Sequence, residues 1–358
     1  MVCIAAFIIL ALIGVFVAII SIFKPQVGKS YWKMFKKAWG CLWKKVRLQK
    51  CETGFKDDVK NTILSRVIVK HPKWVKPLSV TIEVLSVVIV VVAVWAVLTA
   101  VKSVLALWAL GSCNVSKPEA CGMGSEVCSI NASEPTNVFE ATGRWFEEWG
   151  EIFAAIPDKF RSYNAEDYDF NYISVNTATN AEKPLAVDIM DPGCSVCMVS
   201  YRNQKAAGFF DQYDVRIVPY AIQDEDGVYK FANSEIIVRY LFAVEQLRAG
   251  MAVEILDHIF IDRYEGNSES DPYAGTSYQT MFNDVFDHEA AVKQLETWIT
   301  EAGFNEDGLA ELRKIVDYPE TTDKITENKQ LVEGELNIKS IPTMIYDGTK
   351  HVGRWEES

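Results

Sequence analysis

The sequence is poor in histidine: four in 358 residues, none within fifty positions of its single Cys-x-x-Cys pair. A structural zinc site built on that pair would need a second Cys-x-x-Cys or a His pair, and the sequence has neither at a usual spacing. Positive charge is also short, with 36 Lys+Arg against 48 Asp+Glu for a net charge of −12. That balance argues against a surface coated for nucleic acid. Twelve Pro and twenty Gly are ordinary usage and exclude a collagen-like or low-complexity chain. There is no internal repeat. The length leaves room for one large or two ordinary domains.

Long apolar runs are present. Residues 1–23, MVCIAAFIILALIGVFVAIISIF, hold no charge and no Pro. At ~1.5 Å per residue they reach ~35 Å, enough to cross the hydrocarbon core. A cleaved signal peptide would carry positive charge before a shorter apolar core, so a retained transmembrane helix is expected. A second span is expected at 78–111, with a clean core from Val84 to Val101 that Lys102 interrupts. Its β-branched residues would suit a buried strand, but strands usually run about 4–8 residues.

Between the spans, 24–77 carries fifteen Lys/Arg against Glu52, Asp57 and Asp58, a net +12 that leaves −24 for the rest. Short basic loops stay cytoplasmic. The expected protein is therefore a two-span membrane protein with its basic loop in the cytoplasm. Its N-terminus and everything after about 111 would be extracytoplasmic. In the loop, Tyr31, Trp32, Phe35, Trp39 and Trp43 interleave with Lys33, Lys36, Lys37, Lys44 and Lys45. That spacing predicts an amphipathic helix on the lipid bilayer, in preference to a nucleic-acid patch.

An extracytoplasmic linker follows over 112–182. It opens with a small, polar loop holding Cys113, Cys121 and Cys128, in which one local structural disulfide and a spare thiol are expected. The sharper alternative is exchange of the spare thiol with Cys194. Residues 136–164 read as a helix in which Phe139, Trp145, Phe146, Trp149 and Phe153 pack against the next domain or the membrane surface. A short strand is expected at 170–175.

The chemistry lies in KPLAVDIMDPGCSVCMVSY, residues 183–201. Pro184–Met190 suits a buried strand, Asp191-Pro192-Gly193 breaks it, and Cys194-Ser-Val-Cys197 opens a helix running to about Phe210. Cys-x-x-Cys at the first turn of a helix is a redox arrangement. Free amide groups and positive potential at a helix N-terminus favour thiolate, so Cys194 is expected to be the nucleophile and Cys197 the resolving thiol.

These residues resemble the active-site strand and turn of thioredoxin-fold proteins. The resemblance implies that Asp188, six positions before Cys194, lies beneath the cysteines and moves the resolving thiol's proton. Asp188 is the sole acid in the strand, and desolvation should raise its pKa. The alternative for Asp188 is a solvent-facing position at a strand edge. Near the end, Asn337-Ile-Lys-Ser-Ile-Pro-Thr-Met-Ile-Tyr-Asp-Gly resembles the same superfamily's Ile/Val-Pro-Thr segment. By that resemblance the Ile341–Pro342 bond is cis and faces the cysteines, and Ile341 and Thr343 flank a substrate groove, with Ser195 and Val196 also against substrate. Asp347-Gly348 reads as a hairpin turn into Lys350–Trp355.

Between a second core strand at Asp214–Ile222 and that proline, about 224–334 reads as a helical insertion, with helices near 233–265, 285–302 and 306–316. An insertion at this place resembles DsbA-like proteins. The implied fold is an α/β thioredoxin-like domain over 183–358 with a large helical insertion. The implied activity is thiol–disulfide exchange with extracytoplasmic proteins and a membrane redox partner that recycles the dithiol. Neither cofactor nor metal is called for. Ser-Val replaces the Pro-His of strongly oxidising members, leaving oxidase, reductase and isomerase open. Family members usually close with a further helix; either that helix is absent here or it lies beyond Ser358. The alternative function is a redox-silent, thioredoxin-like structural subunit of a membrane complex.

Overall fold

The computed structural model describes residues 75–112, 127–130, 137–176, 183–224, 227–266, 268 and 271–355, with 32, 35, 36, 39, 40 and 43 before them. The expected span at 1–23, most of the basic loop, and Cys113 and Cys121 lie outside the described residues. Two compact units are present, Met1–Val101 and Lys102–Ser358.

In the first unit the described positions between 32 and 43 are helical. Helix α1 (Val75–Leu110) continues into the second unit. It contains a run, Val84–Leu110, that is long and apolar enough to cross a membrane. Among the described residues it is the only such helix. Val84, Leu85, Val87, Val91 and Val97 are all exposed, so apolar surface faces outward over most of the helix, while Ser86 and Val90 are buried.

In the second unit the end of α1 meets α2 (Val138–Ala155), which Asn137 caps by accepting a hydrogen bond from Glu140 N at 2.9 Å. Ala106 and Ala109 pack on Ile152 and Ala155, small residues that let the two helices approach closely. Lys102, which with Glu83 makes the two charges inside the expected span 78–111, forms a buried ion pair with Glu148 and lies 5.4 Å over the Trp145 ring. A cation in an apolar helix is tolerated where a partner meets it.

The core is a five-stranded sheet in the order β2-β4-β3-β6-β7. These strands are β2 (Ile173–Ser174), β3 (Leu185–Met190), β4 (Asp214–Pro219), β6 (Thr343–Tyr346) and β7 (Thr349–Val352). A separate pair joins β1 (Cys128–Ser129) to β5 (Ser340–Ile341). β3 and β4 run parallel, joined by α3 (Ser195–Ala206), and every other pairing is antiparallel. Central β3 is buried from Ala186 onward, which explains its apolar sequence. Asp347 (φ 48°) and Gly348 (φ 73°) both adopt the left-handed conformation that a two-residue hairpin requires.

The helical insertion is organised on α4 (Ser234–Leu247). Against it pack α5 (Met251–Phe260), α6 (His288–Glu301), α7 (Glu306–Val316) and α8 (Pro319–Lys329). The single helix expected at 233–265 is two, because Gly250 at φ 85° turns the chain between α4 and α5. Helix α8 was not legible as an apolar stripe. Its buried residues are polar: Thr321 donates to Ile315 O at 2.6 Å, and Asn328 exchanges bonds of 2.8 and 2.9 Å with the Asn171 backbone. His258 and Asp262 pair at 2.6 Å while the imidazole stacks on Trp298, a packing arrangement.

Candidate active site at the Cys194 turn

The chain leaves β3 at Met190 and turns through Asp191-Pro192-Gly193 into α3, with Cys194 as its N-cap. The Cys197 amide donates to the Cys194 sulfur at 3.4 Å, the helix-terminus interaction expected of this position. Cys194 is wholly buried and is disulfide-bonded to Cys128, 66 positions earlier. Cys197 is a buried free thiol. Of the three loop cysteines among which one local disulfide and a spare thiol are expected, Cys113 and Cys121 lie outside the described residues, and Cys128 is the one bonded to Cys194. The reason is a strand pairing: Cys128 lies opposite Ile341 and Ser129 opposite Ser340, antiparallel, and Ile130 N donates to Lys339 O at 3.0 Å. Val127, Cys128, Ser129 and Ile130 are each at most 5% exposed, so this short segment is embedded in the domain.

The Ile341–Pro342 bond is cis. Ile341, Pro342 and Thr343 are buried, and Thr343 Oγ1 donates to Ser340 O at 2.7 Å. The strand 127–130 thus lies along the edge where the sequence places a substrate groove. Of the expected groove residues, Ser195 is exposed, while Val196 is buried beside the cysteines.

Asp188 is fully buried in β3, which removes the edge-strand alternative. Its Oδ2 accepts from Gln204 Nε2 at 2.7 Å, and Oδ1 has no partner among the described residues. Burial raises its pKa to about 7, against a smaller opposing effect of the Gln204 bond. Burial also pushes the Cys197 thiol well above its ordinary value, and the charges of Asp191 and Asp188 add to that.

Asp191, read in the sequence only as a strand breaker, is a second buried carboxyl. It accepts from Gly193 N and Ile222 N at 2.7 Å each and from the Ser234 hydroxyl. Burial lifts its pKa to about 6, and these bonds oppose the rise. The insertion reaches the same turn: Gln279 donates to Pro192 O and Cys194 O at 2.9 Å, and Asn283 donates to Gly193 O at 2.8 Å. No local pattern marks Gln204, Gln279 or Asn283, since their partners lie 16 to 90 positions away. Gly193 is required by contact: a Cβ there would sit 2.4 Å from Phe231 Cβ and 2.6 Å from Ser234 Oγ. Gly193→Ala is expected to destabilise the domain by about 2 kcal/mol, measured by urea unfolding. An unchanged midpoint would mean that the turn has slack. Among the described residues no His/Cys/Asp/Glu group is placed to hold a metal ion.

No protein-family model matches the chain, and no curated protein sequence does. Solved structures do match. The thiol-disulfide exchange protein alpha-DsbA2 from Wolbachia pipientis is 14% identical at a TM-score of 0.34, covering 60% of this chain and 92% of its own. Proteus mirabilis ScsC is 12% identical at 0.36, covering 60% and 85%. A thioredoxin-like oxidoreductase from Silicibacter pomeroyi DSS-3 is 15% identical at 0.33, covering 52% and 87%.

Proposed function

We propose that the chain is a membrane-tethered thiol–disulfide oxidoreductase working on extracytoplasmic proteins. The observation that carries the reading is the Cys128–Cys194 bond, formed by a cysteine on an extended strand hydrogen-bonded beside Pro342. It has the form of a mixed disulfide between Cys194 and a peptide. In the forward direction Cys194 thiolate attacks a substrate disulfide, bonds to one substrate sulfur and releases the other as thiolate. Cys197 then attacks the Cys194 sulfur, releases the substrate's thiol and closes a Cys194–Cys197 disulfide. One disulfide is broken and one is formed, so electrons balance. Asp188, with a pKa near neutrality, takes the Cys197 proton and returns it to the leaving sulfur. Run backwards, the same steps oxidise a substrate dithiol. Both directions need a membrane redox partner to reset the cysteines.

The tether is the apolar run in α1 together with the run at 1–23, and the +12 loop between them places the basic side in the cytoplasm. The domain carrying Cys194 then lies on the oxidising side, where disulfides persist.

The complete burial of Cys194 favours a second reading, a redox-silent scaffold that uses the disulfide as a staple. The unpaired Cys197 one turn away is superfluous to a staple. The two readings separate on the full chain in detergent micelles with dithiothreitol, scored by insulin reduction. Cys194→Ser is expected to lower the catalysed rate at least a hundredfold. An unchanged rate in that variant, or no rate in the parent, overturns the oxidoreductase reading.

A further inference from the structure

We infer that Cys128 is a third redox cysteine, and that the strand 127–130 is a tethered internal substrate that closes the groove until Cys197 displaces it. The inference rests on the oxidoreductase reading and adds a step to it. Three observations converge. The strand is bound as a peptide would be, by antiparallel backbone pairing to Ser340–Ile341 and to Lys339. It is side-chain-complementary as well, since Cys128 and Ile130 belong to the same buried apolar cluster as Cys194, Val196, Cys197 and Ile341. Its sulfur is bonded to the residue that Cys197 resolves, with the Cys197 amide against that same Cys194 sulfur.

The step is an internal exchange. The Cys197 thiol gives up its proton to a buried carboxylate, and its thiolate attacks Cys194 Sγ. The Cys194–Cys128 bond breaks, a Cys194–Cys197 bond forms, and Cys128 leaves as a thiolate that takes up the proton. One disulfide and one thiol stand on each side, so no external oxidant or reductant is required. In the first form the strand fills the groove. In the second, Cys128 is freed and backbone pairing, apolar burial and the long Lys230 bonds to Ser129 are left to hold the strand, so an incoming protein strand competes for the Ser340–Ile341 edge. Holding the strand on the chain keeps its effective concentration at the groove high, which favours it over a free incoming strand.

The test uses the oxidised full chain in detergent micelles, purified without reductant. The probe is a synthetic ten-residue peptide with one cysteine between apolar residues. The readout is its rate of mixed-disulfide formation at Cys194, with non-reducing peptide mapping after acid quench. The parent is expected to map mainly as Cys128–Cys194. Cys128→Ser should map as Cys194–Cys197 and react at least tenfold faster than the parent. Ile130→Asp, which keeps the sulfur but weakens the strand's burial, should shift the map the same way and also react faster. Cys197→Ser should react at least tenfold slower than the parent, because the closed form has lost its route to opening. Equal rates in the parent, Cys128→Ser and Cys197→Ser would make the bond a static staple and overturn the exchange while leaving Cys194 reactive. Failure of the peptide to react with Cys128→Ser any faster than with Cys194→Ser overturns the oxidoreductase reading itself.

Discussion

Asp188→Asn is expected to stabilise the protein at pH 8 by about 4 kcal/mol while slowing its turnover. Asp188 has a folded pKa of about 7 against an ordinary value of 3.8. The folded state therefore binds the Asp188 proton more tightly than the unfolded state. Stability must then fall as pH rises from about 4 to about 7, because the unfolded chain ionises first. Roughly three units at ~1.4 kcal/mol each give the ~4 kcal/mol that the parent has lost by pH 8. Asparagine cannot ionise and fills the same volume. It also leaves Gln204, which donates to Asp188 Oδ2 at 2.7 Å, an oxygen to bond. Urea unfolding of parent and variant between pH 4 and 8 checks this. The difference should be small at pH 4 and grow towards pH 8, and a pH-independent difference would refute it. The same exchange removes the carboxylate proposed above to accept the Cys197 proton. The resolving step should therefore slow at least tenfold at pH 7, in a single-turnover measurement of substrate release from Cys194.

What the sequence made legible was what is local. The run from Leu185 through Cys197 announces strand, turn and helix within thirteen positions, and Ile341-Pro342-Thr343 with Asp347-Gly348 announces the edge and hairpin. Each depends on neighbours in the chain, and each stands in the structure where the pattern put it. Asp188 could be read as buried because strand β3 is apolar around it. The pairing of Cys128 could not be settled from the sequence, since three loop cysteines compete for partners and the deciding contact is a two-residue strand pairing more than 200 positions away, at Ser340–Ile341. The same is true of Gln279 and Asn283, amides on an insertion whose helices have no sequence mark aimed at the Cys194 turn. The break at Gly250 needed only its left-handed backbone, a signal present in the sequence but outweighed by the apolar periodicity on both sides.

Asp191→Ala is expected to have the opposite effect on stability, a loss of about 3 kcal/mol at pH 8, although burial raises the Asp191 pKa just as it raises that of Asp188. Removing the carboxylate relieves its cost of burial. With a folded pKa of about 6 against 3.8, that relief is ~3 kcal/mol. But Asp191 is the acceptor for Gly193 N, Ile222 N and Ser234 Oγ, all within the domain interior. Alanine leaves three buried donors without it, at ~1–3 kcal/mol each, or ~6 kcal/mol together. The larger quantity wins and the domain is weakened. Asp191→Asn should fall between parent and alanine. Its one carbonyl oxygen, placed at the Oδ1 site, still serves Gly193 and Ser234, while its amide meets the Ile222 N–H donor to donor. The two carboxyls therefore differ in partners rather than in burial: one bond from Gln204 leaves Asp188 free to gain and lose a proton, and three bonds fix Asp191 as the clamp of the turn that presents Cys194. Urea unfolding of the three proteins at pH 8 should rank parent, Asn, Ala in falling stability. An alanine variant as stable as the parent would show that the turn is held by Gln279 and Asn283 alone.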